Sequence, residues 1–496
     1  MIKTEYISNK KNLSRKGEAR KFRVVVIGGG ISGLSSAYHL RELCIDNKIP
    51  LELIVLEKSE RLGGLISSKT INNFIIEEGP DSFNNKKKSA INLINRIGIK
   101  SNIIFANEKA DKVYVYKNKK LIPIPDRFMI AQTSFCALVS SKLFSLKGKF
   151  RIILETLLPR NSLKIDESVA SFFRRRFGEE VFRLVAEPLF GGIYSSDTNN
   201  LSMQATLPHL LALEKQYGSI IKGMRRNKIY DNSNIENKRL KNSMFVSFRN
   251  GMQHLTDTLA NQIPKESVKL NKMVRKIKMK NEKWQVITSS NEVIDTDCVI
   301  IATPATNAAK ILREFNPLLA NCLSDIEYVS TVTINLIYKR EGILNDISGS
   351  GFIVPKSEDL PVSACTFSSI KFSGRTPANN ILMRCFIGGE MKPEIYKKDD
   401  SWFIEEAHES ISRVFGIESR PIFKLVSRNS QSIPQYMLGH VNRVSRIFNL
   451  TEQYPNLQLA GNAYNGVGIP DCIKSGENAA KNIFKYIKSK ENSVNL

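Results

Sequence analysis

The sequence predicts an α/β fold in which a Rossmann-like dinucleotide-binding domain is assembled from discontinuous segments, joined to an α+β remainder made of a mixed-sheet domain and an inserted helical domain. Three observations predict it. Strand, glycine turn and helix follow one another in FRVVVIGGGISGLSSAYHL (22–40) and again in LQLAGNAYNGVGIPDCIKSGENAAKNIF (457–484), with the buried-strand run CVIIATPA between them. Long amphipathic runs separate the first of these from the others. A chain of 496 residues is also too long for one core.

Taken in order, residues 1–20 read as a flexible basic tail. Residues 21–84 form the first cofactor-domain segment, a βαβ start whose second strand is LELIVLE and whose second glycine turn is RLGG. Residues 85–225 read as mostly helical, through FCALVSSKLFSLKGKFRIILETLL (135–158) and VASFFRRRFGEEVFRLVAEPLF (169–190). In the latter, Val169, Phe172, Phe173, Phe177 and Val181 recur at helical spacing, with Asp166 as N-cap and Pro188 as the stop. Residues 226–243, polar and charged, read as a mobile loop. The second cofactor segment is 244–310, with strands in VKLNKMVRKIKMK, WQVITS and CVIIATPA; the mixed-sheet domain is 311–430, with TVTINLIY its clearest strand. The third cofactor segment is 431–490, and 491–496 are a tail.

The composition is that of an ordinary globular protein, 42% hydrophobic and 24% charged, except for a net charge of +25. Such a charge fits anionic partners or a lysine-rich proteome, and nucleic acid is not expected because no arginine–aromatic stripe is present. Seven cysteines stand singly, so neither a metal site nor a disulfide framework is expected, and a reducing, cytoplasmic compartment is. No secretory h-region and no spanning apolar segment is apparent.

Gly28, Gly30 and Gly33 form GxGxxG: Gly28 for the tight turn, Gly30 for approach of the backbone to a pyrophosphate, Gly33 for close helix packing. The helix amides near Ile31 face that anion. The next strand ends in Glu57, a carboxylate suited to both ribose hydroxyls. Arg61, Gly63 and Gly64 follow, a cluster that NAD sites do not require and FAD sites use; a surface salt bridge is the alternative for Arg61. The last helix, starting near Pro470, aims its positive end at the flavin pyrimidine ring.

GGGISGLSSAYHL, EKSERLGGLISS, FIIEEGPDSF, AEPLFGGIYSSDTNNLSMQATLP, IPQYMLGH and GNAYNGVGIPDCIKSGENAA occur in this order between residues 22 and 487. Together they resemble the oxygen-dependent protoporphyrinogen oxidases and their bacterial relatives acting on coproporphyrinogen III. The resemblance implies a para-hydroxybenzoate-hydroxylase-like FAD domain, a substrate domain and a helical domain meeting the membrane surface. It implies one non-covalent FAD, a porphyrinogen substrate, dioxygen as acceptor, hydrogen peroxide as product, and a place in haem biosynthesis. FAD contacts are implied at Gly28, Gly29, Gly30, Ile31, Ser32, Gly33, Glu57, Lys58, Arg61, Gly63, Gly64, Leu65, Gly79, Pro80, Asp81, Ser82, Val268, Gly461, Val467, Gly468 and Ile469. Two positions depart from the pattern: Asn429 stands where bacterial members carry a tryptophan against the cofactor, and Glu78 where a basic residue is common.

A porphyrinogen ring stabilises its own cation when a meso hydrogen leaves, so no protein acid or base is required. None of the five histidines clusters, and no catalytic residue is assigned. For the substrate carboxylates, Lys87 and Lys88 are candidates, with a solvated charge run the alternative. Gly191 and Gly192 either lie flat against the macrocycle or allow tight helix packing. Arg174, Arg175 and Arg176 read as an exposed helix face, and His440 and Cys472 as packing groups near the cofactor. Residues 135–158 fit either an interfacial membrane helix or an ordinary packed one. Monomer and homodimer both remain open. The rivals are another enzyme of the same superfamily, an amine oxidase or carotenoid desaturase, or a redox-inactive tetrapyrrole carrier.

Overall fold

In the computed structural model, residues 21–125, 140–161, 165–230, 244–343, 347–387 and 393–494 are described. The predicted tail at 1–20, residues 495–496 of the predicted tail 491–496 and residues 231–243 of the predicted loop 226–243 lie outside them; residues 491–494 instead continue the helix Ile469–Val494, and residues 226–230 the helix Ile220–Tyr230.

Five apolar strands form a parallel sheet: β1 (Phe22–Ile27), β2 (Leu51–Leu56), β3 (Val268–Lys269), β4 (Cys298–Ile301) and β5 (Leu457–Leu459), in the order β3-β2-β1-β4-β5. Both faces are covered, which is why VVV at 24–26 is wholly buried rather than alternating. Val25 aligns with Ile54 on one side and Val299 on the other. One face carries α1 (Ile31–Asp46) and α2 (Ile469–Val494). These helices touch at small residues: a Cβ on Gly476 would lie 2.3 Å from the Ser32 carbonyl oxygen, and the Ser35 hydroxyl donates to the Ile473 carbonyl at 3.0 Å. The N-termini of the first and last helices are thereby held side by side. The opposite face carries the three-stranded antiparallel sheet Val274–Lys280, Lys283–Thr288 and Val293–Thr296, with Trp284 fully buried beneath it.

A second, seven-stranded sheet runs in the order Phe423–Pro434, Tyr328–Lys339, Asn380–Ile387, Val362–Phe367, Gly351–Ile353, Val113–Lys117, Lys120–Pro123. It is mixed, with Gly351–Ile353 parallel to Val113–Lys117 and the other pairs antiparallel. One face is apolar through Ile334, Leu336, Tyr338, Met383 and Cys385, and packs on the helix Asp400–Phe415. The other face carries buried polar side chains, Thr333, Asn335, Arg384 and Ser427.

This sheet corrects the expectation that residues 85–225 are mostly helical. VYVYKNKKLIP alternates with period two, and Asn118 and Lys119, with φ of 51° and 60°, make the two-residue turn of a hairpin. A short strand, Ile103–Phe105, also lies there and pairs with Phe245–Phe248. Within the helical part, Ser168 rather than Asp166 is the N-cap, its hydroxyl accepting from Ser171 N–H at 3.1 Å. Asp166 accepts instead from the Gly439 amide at 2.9 Å. Gly178, at φ +90°, ends the helix Val169–Phe177, and Pro188 lies in the first turn of Glu187–Tyr194 instead of stopping a helix. In 135–158, residues 135–139 lie outside the described set and the α-helix proper is Leu146–Leu154, capped by Ser145. The arginine run is likewise not a uniformly exposed face. Arg174 is exposed, whereas Arg176 and its partner Glu155 are both fully buried.

Candidate cofactor and active site

The corner after β1 is built from its glycines. Gly28 sits at φ +106°, and a Cβ there would meet the Ala302 carbonyl oxygen at 2.7 Å. A Cβ on Gly33 would lie 1.9 Å from the Gly28 carbonyl oxygen, so α1 approaches the turn as closely as backbone allows. Gly30 faces open space except for Gly64 Cα at 4.0 Å. Leu34 is the first residue of α1 whose amide bonds back, to Gly30 at 2.9 Å, which leaves the donors of the first turn aimed into this corner. A cradle of this kind suits a pyrophosphate.

The second turn is stitched to the first. Gly63 N–H donates to Gly29 at 2.9 Å, and the buried Glu57 carboxylate accepts from Gly29 N–H at 2.6 Å through one oxygen and from Ser59 N–H at 2.9 Å through the other. Each oxygen keeps a lone pair for a hydroxyl. Among the described residues Arg61 makes no salt bridge. Its guanidinium donates to the carbonyls of Leu62, Gly64 and Ile66 at 3.0, 2.7 and 3.1 Å, which shapes the RLGG turn from within. Lys58 is exposed, Leu65 is 43% exposed, and Val268 stands on the strand beside Val55, flanking Glu57.

The third element is the segment Glu77–Ser82. Three side chains from three adjacent strands of the seven-stranded sheet take three consecutive carbonyls. Asn335 donates to Glu77 (3.4 Å), Asn429 to Glu78 (3.3 Å) and Arg384 to Gly79. Asn429, a position the sequence expectation gave to the cofactor, holds a backbone carbonyl here. Asp81 and Ser82 are already engaged by Lys371, whose ammonium is 3.0 Å from each. Burial alone would raise the Asp81 pKa, but Lys371 and Arg384 outweigh it and hold the carboxyl well below its ordinary range. Glu77 goes the other way. Its burial outweighs Arg375, the Ser68 hydroxyl and the Met252 amide, and its pKa is raised. Glu78 is satisfied by Lys69 at 2.8 Å and Ser67 at 2.7 Å.

The fourth is the loop between β5 and α2. Gly461 and Gly466 adopt φ of +145° and +129°, and the Tyr436 hydroxyl accepts from Gly466 N–H at 2.7 Å while donating to the Asn462 carbonyl at 2.6 Å. His440 stacks on Tyr436 with centroids 4.0 Å apart. Burial lowers the His440 pKa to about 4, and burial pushes the Cys472 thiol up to about 12, so both are neutral packing groups at pH 7. Val467 packs against the helical domain's core, and Ile469 is buried at the helix start.

Of the substrate candidates, Lys87 is taken: its ammonium lies 2.7 and 2.6 Å from the two oxygens of Asp471. Lys88 is exposed at the start of the helix Lys88–Arg96. A Cβ on Gly192 would meet nothing within 4 Å and one on Gly191 only ordinary contacts, so tight helix packing does not account for this pair. Sequence reasoning missed Lys371, Arg375, Arg384, Asn335, Tyr436 and Asp471. Arg384 carries a signal, a lone charge within the apolar strand ILMRCFI; Lys371 carries none.

A family model for flavin-containing amine oxidoreductases matches residues 31–484. The chain belongs to that family. Among relatives of this flavin-containing amine oxidoreductase, a coproporphyrinogen III oxidase of Bacillus subtilis is 31% identical over 95% of this chain and 99% of its own. A mitochondrial protoporphyrinogen oxidase of Nicotiana tabacum is 28% identical over 94% of this chain and 95% of its own. Among solved structures, a protein described as a protoporphyrinogen oxidase from Exiguobacterium sp. 255-15 superposes with a TM-score of 0.81 at 25% identity, covering 95% of this chain and all of that one. The chain is therefore an FAD-dependent oxidoreductase, and the glycine corner, Glu57 and the two paired helix N-termini fit that cofactor. Among the described residues no group of metal-ligating side chains occurs, and no helix is long and apolar enough to cross a membrane.

Proposed function

We propose that this flavoenzyme oxidises a porphyrinogen, coproporphyrinogen III or protoporphyrinogen IX, to the corresponding porphyrin in haem biosynthesis. The observation that carries this is the near-complete coverage of the 31%-identical coproporphyrinogen III oxidase by a chain whose glycine corner suits a dinucleotide pyrophosphate. Bound FAD supplies the two-electron acceptor, and dioxygen regenerates it; three rounds consume three dioxygen molecules, remove six hydrogens and release three molecules of hydrogen peroxide.

The protein's own part is binding and orientation. The turn Gly28–Gly33 holds the pyrophosphate, Glu57 the ribose, Val268 flanks the adenine side, and the loop 461–469 with α2 takes the flavin end. The clamp of Asn335, Asn429 and Arg384 fixes residues 77–79 against the seven-stranded sheet. No acid or base is needed, in keeping with the neutral His440 and Cys472. Gly191 and Gly192 leave room for a flat ring, and Lys88, exposed and in no ion pair among the described residues, is the remaining candidate for the substrate carboxylates, Lys87 being held by Asp471. We further place the chain at the cytoplasmic face of a membrane. The helix Leu146–Leu154 and the turn after it leave Leu146 (85%), Phe150 (63%) and Leu157 (76%) exposed beside Lys147 and Lys149, the pattern of an interfacial helix.

The test is aerobic incubation with each porphyrinogen while porphyrin fluorescence is followed. Conversion of at least one, faster than autoxidation and with matching peroxide release, is expected. Turnover of amines or carotenoids with neither porphyrinogen oxidised would overturn the reading in favour of the superfamily rivals.

A further inference from the structure

The helix that closes the cofactor corner carries a carboxylate in its own first turn. Asp471 folds back over the glycine loop: a Cβ on Gly466 would lie 2.6 Å from its Oδ2, and one on Gly468 3.1 Å. Such a carboxylate stabilises the helix, yet it offsets the positive end of the macrodipole, the feature that favours negative charge in front of it. Lys87 reaches across from a segment 384 residues away in sequence and meets both carboxylate oxygens, at 2.7 and 2.6 Å. The contact is locked beside it by the Ser89 hydroxyl, which donates to the Pro470 carbonyl at 2.6 Å.

Of the titratable groups around the pair, Tyr194 and His209 carry no charge at neutral pH, and Lys474, three residues on, is paired with Glu477 at 3.3 Å. Burial and Asp471 push the Tyr194 hydroxyl up to about 12, and burial with Lys87 lowers the His209 pKa. The formal charge at this helix terminus is therefore set by Lys87 and Asp471 alone among these groups. The pair is partly open to solvent, with Lys87 53% and Asp471 18% exposed, so it is screened but not abolished by salt.

We propose that Lys87 and Asp471 tune the reduction potential of the bound flavin: Lys87 neutralises Asp471, so that the uncompensated helix macrodipole, rather than a carboxylate, faces the cofactor. This rests on the FAD-dependent reading above and assigns Lys87 to the cofactor's electrostatics rather than to the substrate. Removing Lys87 exposes a negative charge and makes the flavin harder to reduce; removing Asp471 leaves a positive charge and makes it easier.

The test is the midpoint potential of the FAD-loaded protein, measured by reductive titration against a reference dye at low and high salt. Lys87→Met is expected to lower the potential, Asp471→Asn to raise it, the double variant to return it near the wild-type value, and Lys87→Arg to leave it there. Raised salt is expected to shrink both single shifts. Potentials that stay fixed, or that move in the same direction in both single variants, would overturn the proposal. If Lys87→Met loses its flavin, a fall or no change in Asp471→Asn overturns it alone. A wild-type chain that takes up no flavin would instead overturn the FAD reading, which an absorption spectrum distinguishes.

Discussion

Glu57→Gln is the sharpest perturbation of the nucleotide corner. The two carboxylate oxygens accept from different amides, Gly29 N–H at 2.6 Å and Ser59 N–H at 2.9 Å, in a site only 8% exposed. A glutamine of the same shape has one acceptor oxygen and one NH2 group, so one amide must face a donor. The loss of one charge-assisted hydrogen bond is about 1.5–3 kcal/mol. Because these bonds are made by the chain itself, that loss belongs to the flavin-free protein and is read as a lowered denaturant midpoint. The proposed ribose contact adds a separate loss. At 1.4 kcal/mol per decade, one further charge-assisted bond corresponds to roughly 10- to 150-fold weaker FAD binding. Denaturation of apoprotein and titration of FAD by fluorescence quenching measure the two independently. A stability change below about 0.5 kcal/mol, within the range of a neutral surface substitution, would refute the hydrogen-bond argument. An unchanged FAD affinity would refute the ribose assignment.

Other consequences follow from the same geometry. Glu155→Gln takes from the wholly buried Arg176 the nearer of its two carboxylates, leaving Glu214 at 3.4 Å, and is expected to cost up to about 3–5 kcal/mol of stability, read as a lowered denaturant midpoint; a loss below about 0.5 kcal/mol would contradict this. The folded-state pKa of His440 is lowered to about 4, so between pH 6.5 and 4 the unfolded chain binds a proton that the folded one refuses, and stability falls as pH falls through that window. His440→Phe is expected to flatten this slope by up to about 3 kcal/mol across the window, checked by denaturant midpoints at several pH values. Replacing Leu146, Phe150 and Leu157 by serine is expected to abolish cosedimentation with anionic liposomes at physiological salt while leaving the flavin in place. Wild-type protein recovered entirely in the supernatant would end the membrane assignment.

The cofactor corner was legible because its demands fall on backbone geometry that few residues satisfy. Gly28 needs a positive φ and Gly33 needs no side chain, and both requirements are written in the residue type itself. β1, β2 and β4 were legible because strands buried on both faces are continuous apolar runs. The seven-stranded sheet was less so. Its first hairpin lies in a stretch surrounded by helical patterns, and short period-two runs are easily absorbed into them. Helix boundaries misread at Asp166 and Pro188 turned on which neighbouring residue the tertiary structure engages. Asp166 is drawn off to Gly439, which leaves the cap to Ser168. The contacts made by Lys87, Lys371 and Asn429 join segments hundreds of residues apart, and nothing in local pattern encodes such partners.

One tightly held flavin per chain underlies every role assigned above, and the most direct measurement is the flavin content of the purified chain. Denaturation by heat or acid should release one FAD per polypeptide, identified by its fluorescence, with none left covalently attached. A chain that is colourless as isolated and takes up no FAD on reconstitution would contradict the account at its root.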